Sequence, residues 1–247
     1  MDQHAAGWPL VILRLLICAA VLAACVADPA QARCRLALLL ALDVSSSVSE
    51  DEYALQQQGL ANALMSDDVT RAILEDQSGS VALSVYEWSG RYQQKLLVDW
   101  TLLNNRNEIA QVAAKIAQSQ RSFSRFPTSI GFSLGYGAAL FKRAPDCAQR
   151  VLDVSGDGIN NDGFGPQVAY RHFPFENVTV NGLVIAGSDP DVEWYYENEV
   201  LKGRFAFLEV ADGFADFERT MARKLYREIS TLMLGAAVPE TATEPRL

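Results

Sequence analysis

Beyond residue 33 the chain alternates between short, wholly apolar runs and longer stretches in which apolar residues recur three or four apart. Residues 35–42 are apolar after Arg35 and stop abruptly at Asp43, the pattern of a strand buried on both faces of a parallel sheet. The Leu and Ala content also fits a buried helix, but the short length and the Ser-rich turn that follows favour a strand. Ser49 and Glu52 form a capping box, and Tyr53, Leu55, Leu60, Leu64 and Met65 continue a helix that Ser66, Asp67 and Asp68 break. Residues 81–86 and 95–100 read as strands, the second pairing back through the polar turn at Ser89, Gly90 and Arg91. Helices are expected over about 105–118 and 129–141, then strands at 151–155, 178–185 and 205–210, and a last helix at about 215–231. This alternation predicts an α/β fold: a doubly wound, mostly parallel six-stranded sheet with helices on both faces.

The first 32 residues have a different character. Arg14 precedes a continuous apolar stretch over 15–26, and Pro29, Ala30, Gln31 and Ala32 offer a small-residue cleavage site, so residues 1–32 read as an export signal. Twelve apolar residues are too few for a permanent span, which needs about 20. Leu22, Ala23, Ala24 and Cys25 resemble a bacterial lipobox, and lipidation of Cys25 is the alternative that would hold the protein on a membrane. Cleavage after Ala32 removes Cys18 and Cys25 and leaves Cys34 and Cys147 as an even pair in a compartment where disulfides persist. The tail over 233–247, rich in Pro, Thr and Glu, reads as disordered. A formal charge of −9, with no basic run, argues against nucleic acid as a partner.

Candidate chemistry gathers where apolar strands stop. Asp43, Ser45 and Ser47 place a carboxylate and two hydroxyls at alternate positions after the first strand, where doubly wound folds put their ligands. Asp157, between Gly156 and Gly158, follows the strand at 151–155, so the fold would bring a second carboxylate to the same edge. Neighbouring carboxylates repel unless a proton or cation joins them. Oxygen donors of this kind select hard ions, Mg²⁺ first, with Mn²⁺ or Ca²⁺ also suited. Neutral hydroxyls leave such an ion with positive charge to spare, and an open position would attract a carboxylate from a protein partner.

The Asp-x-Ser-x-Ser run at Asp43, Ser45 and Ser47 resembles the metal-ion-dependent adhesion site of von Willebrand factor type A domains. That resemblance, which spans about 34–231, implies two further ligands. One is a Thr from a loop before a helix, matched by Thr128, and the other an Asp after the fourth strand, matched by Asp157. It implies a single domain over 33–232 and is nearest to small secreted bacterial members without an assigned function. One departure is Gly156, where the family usually has Thr. In the family the first and fourth strands are parallel neighbours about 4.8 Å apart, which places Cys34 and Cys147 together at the end opposite the metal, as a disulfide or as two buried thiols.

The remaining candidates are weaker. Gly131 and Gly135 would let their helix approach the sheet closely, or reflect simple tolerance of Gly. Asp153, inside an apolar strand, is read as a structural hydrogen bonder or an acceptor supporting the metal ligands. His172 lies in an aromatic loop with a surface or packing role, and Asn177 and Thr179 match a glycosylation acceptor discounted in a bacterial context. The favoured function is an exported, non-enzymatic binding module. A metal-dependent hydrolase is the alternative, without a Gly-rich phosphate loop, a paired Asp nucleophile, or a His or Cys beside the proposed metal. A scaffold with incidental metal is the third.

Overall fold

The computed structural model describes residues 34–76 and 78–235. The expected leader, with Cys25, and all but the first three residues of the expected tail lie outside them. Six strands, β1 (Cys34–Asp43), β2 (Ser80–Trp88), β3 (Gln94–Leu103), β4 (Cys147–Gly156), β5 (Val178–Ile185) and β6 (Leu208–Ala211), form one sheet in the order β3-β2-β1-β4-β5-β6. Only the β2–β3 pairing is antiparallel. The doubly wound α/β sheet inferred from the sequence is therefore present, and its order reverses between β1 and β4, the crevice where such folds bind ligands.

Seven helices are present among the described residues: α1 (Glu50–Met65), α2 (Asp67–Leu74), α3 (Arg106–Ala117), α4 (Ile130–Phe141), α5 (Pro166–His172), α6 (Val192–Tyr195) and α7 (Phe217–Gly235). They cover both faces, which is why every residue of β1 is buried. Leu36, Leu38, Leu40 and Leu42 join a core with Leu60 and Leu64 of α1, Ile109 and Ile116 of α3, and Phe217, Met221 and Leu225 of α7. Ala37, Leu39 and Ala41 point the other way, into a core with Ile130, Leu134 and Phe141 of α4. Each fully buried Leu contributes about 1.5–3 kcal/mol over leaving it in water.

Several elements differ from the sequence reading. Ser66 does end α1, with extended backbone and its hydroxyl on the Ala63 carbonyl, but it also begins α2, where Val69, Ala72 and Ile73 are buried. β6 starts at Leu208 rather than at 205, because Phe205 takes a left-handed φ of 66° and the Phe207 N–H goes to the Asn181 side chain. His172 ends helix α5 and is exposed, so the aromatic loop expected there is helical. A π-helical turn, Tyr196–Val200, continues α6.

Cys34 and Cys147 are register partners in β1 and β4 and are joined by a disulfide, with their Cα atoms 4.4 Å apart. The rise of nine residues puts this bond about 30 Å from the Asp43 end of β1. Asp153, in the middle of β4, is neither a lone hydrogen bonder nor a support for the Asp43 cluster. It faces α7, where the wholly buried Lys224 Nζ lies 3.0 Å from Asp153 Oδ1 and 2.5 Å from Glu228 Oε1. The Asn181 amide also donates to Glu228 Oε1, at 2.8 Å. One ammonium thus serves two carboxylates. Burial raises the Asp153 carboxyl to about 7, with Lys224 pulling it down and Glu228 pushing it up.

Replacing Cys34 and Cys147 together by Ala is expected to cost about 2–5 kcal/mol in denaturant unfolding. A carboxyl whose folded pKa is raised contributes stability that is complete below its unfolded value, about 4, and lost as pH rises through about 7. Asp153→Asn should therefore reduce the decline in unfolding free energy across that window, as measured by urea titrations at stepped pH. Lys224→Met should instead cost about 3–5 kcal/mol by stranding two buried carboxylates.

Candidate metal centre

β1 ends at Asp43, and its two carboxylate oxygens have different fates. Oδ1 accepts the Ser45 N–H at 2.7 Å, which folds the loop back over the strand end, whereas Oδ2 is buried with no partner. The Asp43 carbonyl is held by the Gln56 amide of α1 at 3.0 Å. From Ser45 a chain of hydroxyls runs outward: Ser45 Oγ is 3.0 Å from Ser47 Oγ, and Ser47 Oγ donates to Asp157 Oδ1 at 2.7 Å. Asp157 is buried just past the end of β4, and its Oδ2 is also unpartnered. Asp43, Ser45, Ser47 and Asp157 are thus brought into one cluster.

Thr128 reaches the same edge through two interlocked loops. Its N–H donates to Asn161 Oδ1 at 2.9 Å, and its carbonyl accepts the N–H groups of Asn161 and Asp162. A side chain at Gly158 would begin 3.9 Å from Thr128 Oγ1, so the buried Thr128 hydroxyl faces the residue after Asp157. Ser129 Oγ donates to Asp162, which also pairs with Arg91 at 2.7 Å. Gly131 serves this interlock rather than an approach to the sheet, since a Cβ there would lie 2.0 Å from the Phe164 carbonyl. Gly135 likewise faces Phe173; the glycine of α4 that faces the sheet is Gly137, against Leu152 and Tyr86.

Burial raises the Asp43 carboxyl to about 7; Asp157 pushes it further, while the Ser45 N–H and hydroxyl and Arg121 pull it back. The phenol of the buried Tyr196 lies well above its usual range, first from burial and then from Asp43 and Asp157, and stays neutral. Two carboxylates with buried, unsatisfied oxygens, linked by hydroxyls, suit a hard divalent cation, which would satisfy both at once. Among the described residues no three His, Cys, Asp or Glu side chains form a metal cluster.

Arg121 holds the loop after β1 in place, a role that the sequence alone does not reveal. Its Nη2 donates to the carbonyls of Val44, Ser45 and Val48 at 3.2, 2.9 and 2.6 Å, and its Nε to Phe123 at 2.8 Å. The side chain is 7% exposed, so these bonds are made away from water. The Phe126 carbonyl accepts the Ser46 N–H at 2.9 Å from the neighbouring stretch. Arg121→Ala should cost about 3 kcal/mol in thermal or chemical unfolding by leaving loop carbonyls without a donor. Arg121→Lys should recover only part of this, because an ammonium lacks the planar fork.

Comparison with known proteins places this geometry. Residues 33–233 match the family model described as Protein of unknown function (DUF1194). No curated protein matches the chain. Among solved structures, proximal thread matrix protein 1 from the mussel byssus, in a form with a zinc-occupied MIDAS motif, is similar at 16% identity and TM-score 0.56, over 80% of this chain and 46% of that one. A von Willebrand factor type A protein from Catenulispora acidiphila is similar at 13% identity and TM-score 0.56, over 81% and 43%. The PilB minor pilin from Streptococcus sanguinis is similar at 12% identity and TM-score 0.61, over 86% and 65%. The chain thus spans less than two thirds of each. It has the von Willebrand factor type A fold, and it belongs to the family of unknown function DUF1194.

Proposed function

We propose that the domain over 33–232 is an exported binding module. In this reading Asp43, Ser45, Ser47, Thr128 and Asp157 hold a divalent cation, and an acidic group of a protein partner docks onto it. The observation that carries this reading is the pair of buried, unpartnered oxygens, Asp43 Oδ2 and Asp157 Oδ2, in two side chains tied together through Ser47. The ion would supply the positive charge that draws a carboxylate of the partner. The chain's own residues hold the carboxylates in place, and Arg121 fixes the loop that presents both serines.

Mg²⁺ is the favoured ion, with Mn²⁺ or Ca²⁺ also suited to all-oxygen donors. The zinc in the MIDAS motif of the mussel protein supports a divalent cation in general, and the pilin neighbour supports docking to protein. Export to the periplasm or beyond is supported by the disulfide and by pilus and matrix proteins among the structural neighbours. No described helix is long and apolar enough to cross a membrane, and in this reading membrane association depends on lipidation of Cys25.

Millimolar Mg²⁺ or Mn²⁺ should raise thermal stability, by about 2.7 kcal/mol at 100 times the dissociation constant. Asp43→Ala and Asp157→Ala should each abolish the rise, and chelation should release protein partners captured from the native envelope. A wild-type melting temperature indifferent to both ions would overturn the reading.

A further inference from the structure

The departure at Gly156 has a physical counterpart in the fold. A Cβ built on Gly156 would lie 2.5 Å from Tyr196 Oη and 3.0 Å from Asp43 Oδ2, so the phenol occupies, next to the carboxylate, the room that a side chain at 156 would need. Tyr196 opens the π-helical turn and is completely buried, yet its hydroxyl has no partner. Its ring crosses Gly182 of β5, where a Cβ would come within 2.8 Å of Tyr196 Cδ1. Glycines on adjacent strands therefore let the ring lie across the sheet and reach the Asp43 end. π-Turns recur at functional sites, because the extra residue re-aims side chains that an α-helix would carry elsewhere.

A buried hydroxyl without a partner costs about 1–3 kcal/mol. Three buried, unpartnered oxygens lie at this end of the sheet, two of carboxylates and one of a phenol: Asp43 Oδ2, Asp157 Oδ2 and Tyr196 Oη. The phenol has only one proton to donate, too few for both carboxylates, whereas a cation accepts oxygen from all three side chains. We propose that Tyr196 is part of the metal site, its hydroxyl filling the space that a Thr at 156 would occupy and adding a neutral oxygen to the donor set of Asp43 and Asp157. This rests on the metal-binding reading of the preceding subsection. Tyr196 belongs to a different element, so the ion would tie β1 and β4 to the segment after α6 as well as to each other.

Calorimetric titration of Mg²⁺ into the wild type, Tyr196→Phe and Asp157→Ala, with far-ultraviolet circular dichroism to confirm folding, tests the assignment. Tyr196→Phe should stay folded and bind about tenfold more weakly, the scale of losing one group that supports a metal site. The wild type should also show a near-ultraviolet tyrosine difference spectrum on Mg²⁺ addition that Tyr196→Phe lacks. If Tyr196→Phe binds like the wild type while Asp157→Ala has lost binding, or if the wild type binds without any tyrosine perturbation, Tyr196 only packs and the inference fails alone. If the wild type itself does not bind Mg²⁺, the metal reading fails and this inference with it.

Discussion

Two carboxylates in a dry crevice cannot both hold their charge unless something positive stands between them, and this conflict organises one end of the molecule. Asp43 and Asp157 are forced together because β1 and β4 are hydrogen-bonded neighbours at the point where the strand order reverses. Neither acid can turn toward water, since both are completely buried. The surrounding residues deal with this in graded ways. The Ser45 N–H and the Ser47 hydroxyl each satisfy one oxygen, and Arg121 lends a more distant positive field while its donors are committed to loop carbonyls. One oxygen on each acid remains outside this accommodation.

A third buried aspartate shows the other solution to the same problem. Asp153 lies on the same strand as the approach to Asp157 but faces α7, and there the fold provides its own cation, Lys224, together with a second acid and an amide. The counter-charge is built in at one place and, in the proposed function, comes from outside at the other. That contrast separates a site from a strut. It also explains why Asp153, though an unexpected acid within an apolar strand, takes no part in the chemistry at the strand ends.

Much of this was legible in the sequence because apolar runs that stop at an acid mark both a buried strand and its functional end. Asp43, Ser45, Ser47 and Asp157 stand at such stops, and the doubly wound α/β class follows from alternation with helices. What escaped depended on tertiary position. Arg121 sits in a polar stretch more than seventy residues from the loop it holds, and no spacing links them. Tyr196 carries no signal in the sequence, since its aim is set by a π-turn and by glycines on two strands. The short helix α2 was lost among turn residues, and Phe205 delays the start of β6 through a backbone angle its side chain does not suggest. Gly131 was legible as a place of close approach, but not what approaches it: loop backbone rather than sheet.

The outer strands have their own consequence. β6 is only four residues long, and the lower part of β5 beside it is covered by a bridge from Val180 to Lys202. On the far side β3 displays Lys95 and Asp99 to solvent, and its pairing with β2 is interrupted by irregular register. Short, charged or kinked margins discourage one copy from extending the hydrogen-bond ladder of the next. Both margins of the sheet therefore disfavour edge-to-edge pairing between molecules of this protein, without any cap from a further strand among the described residues.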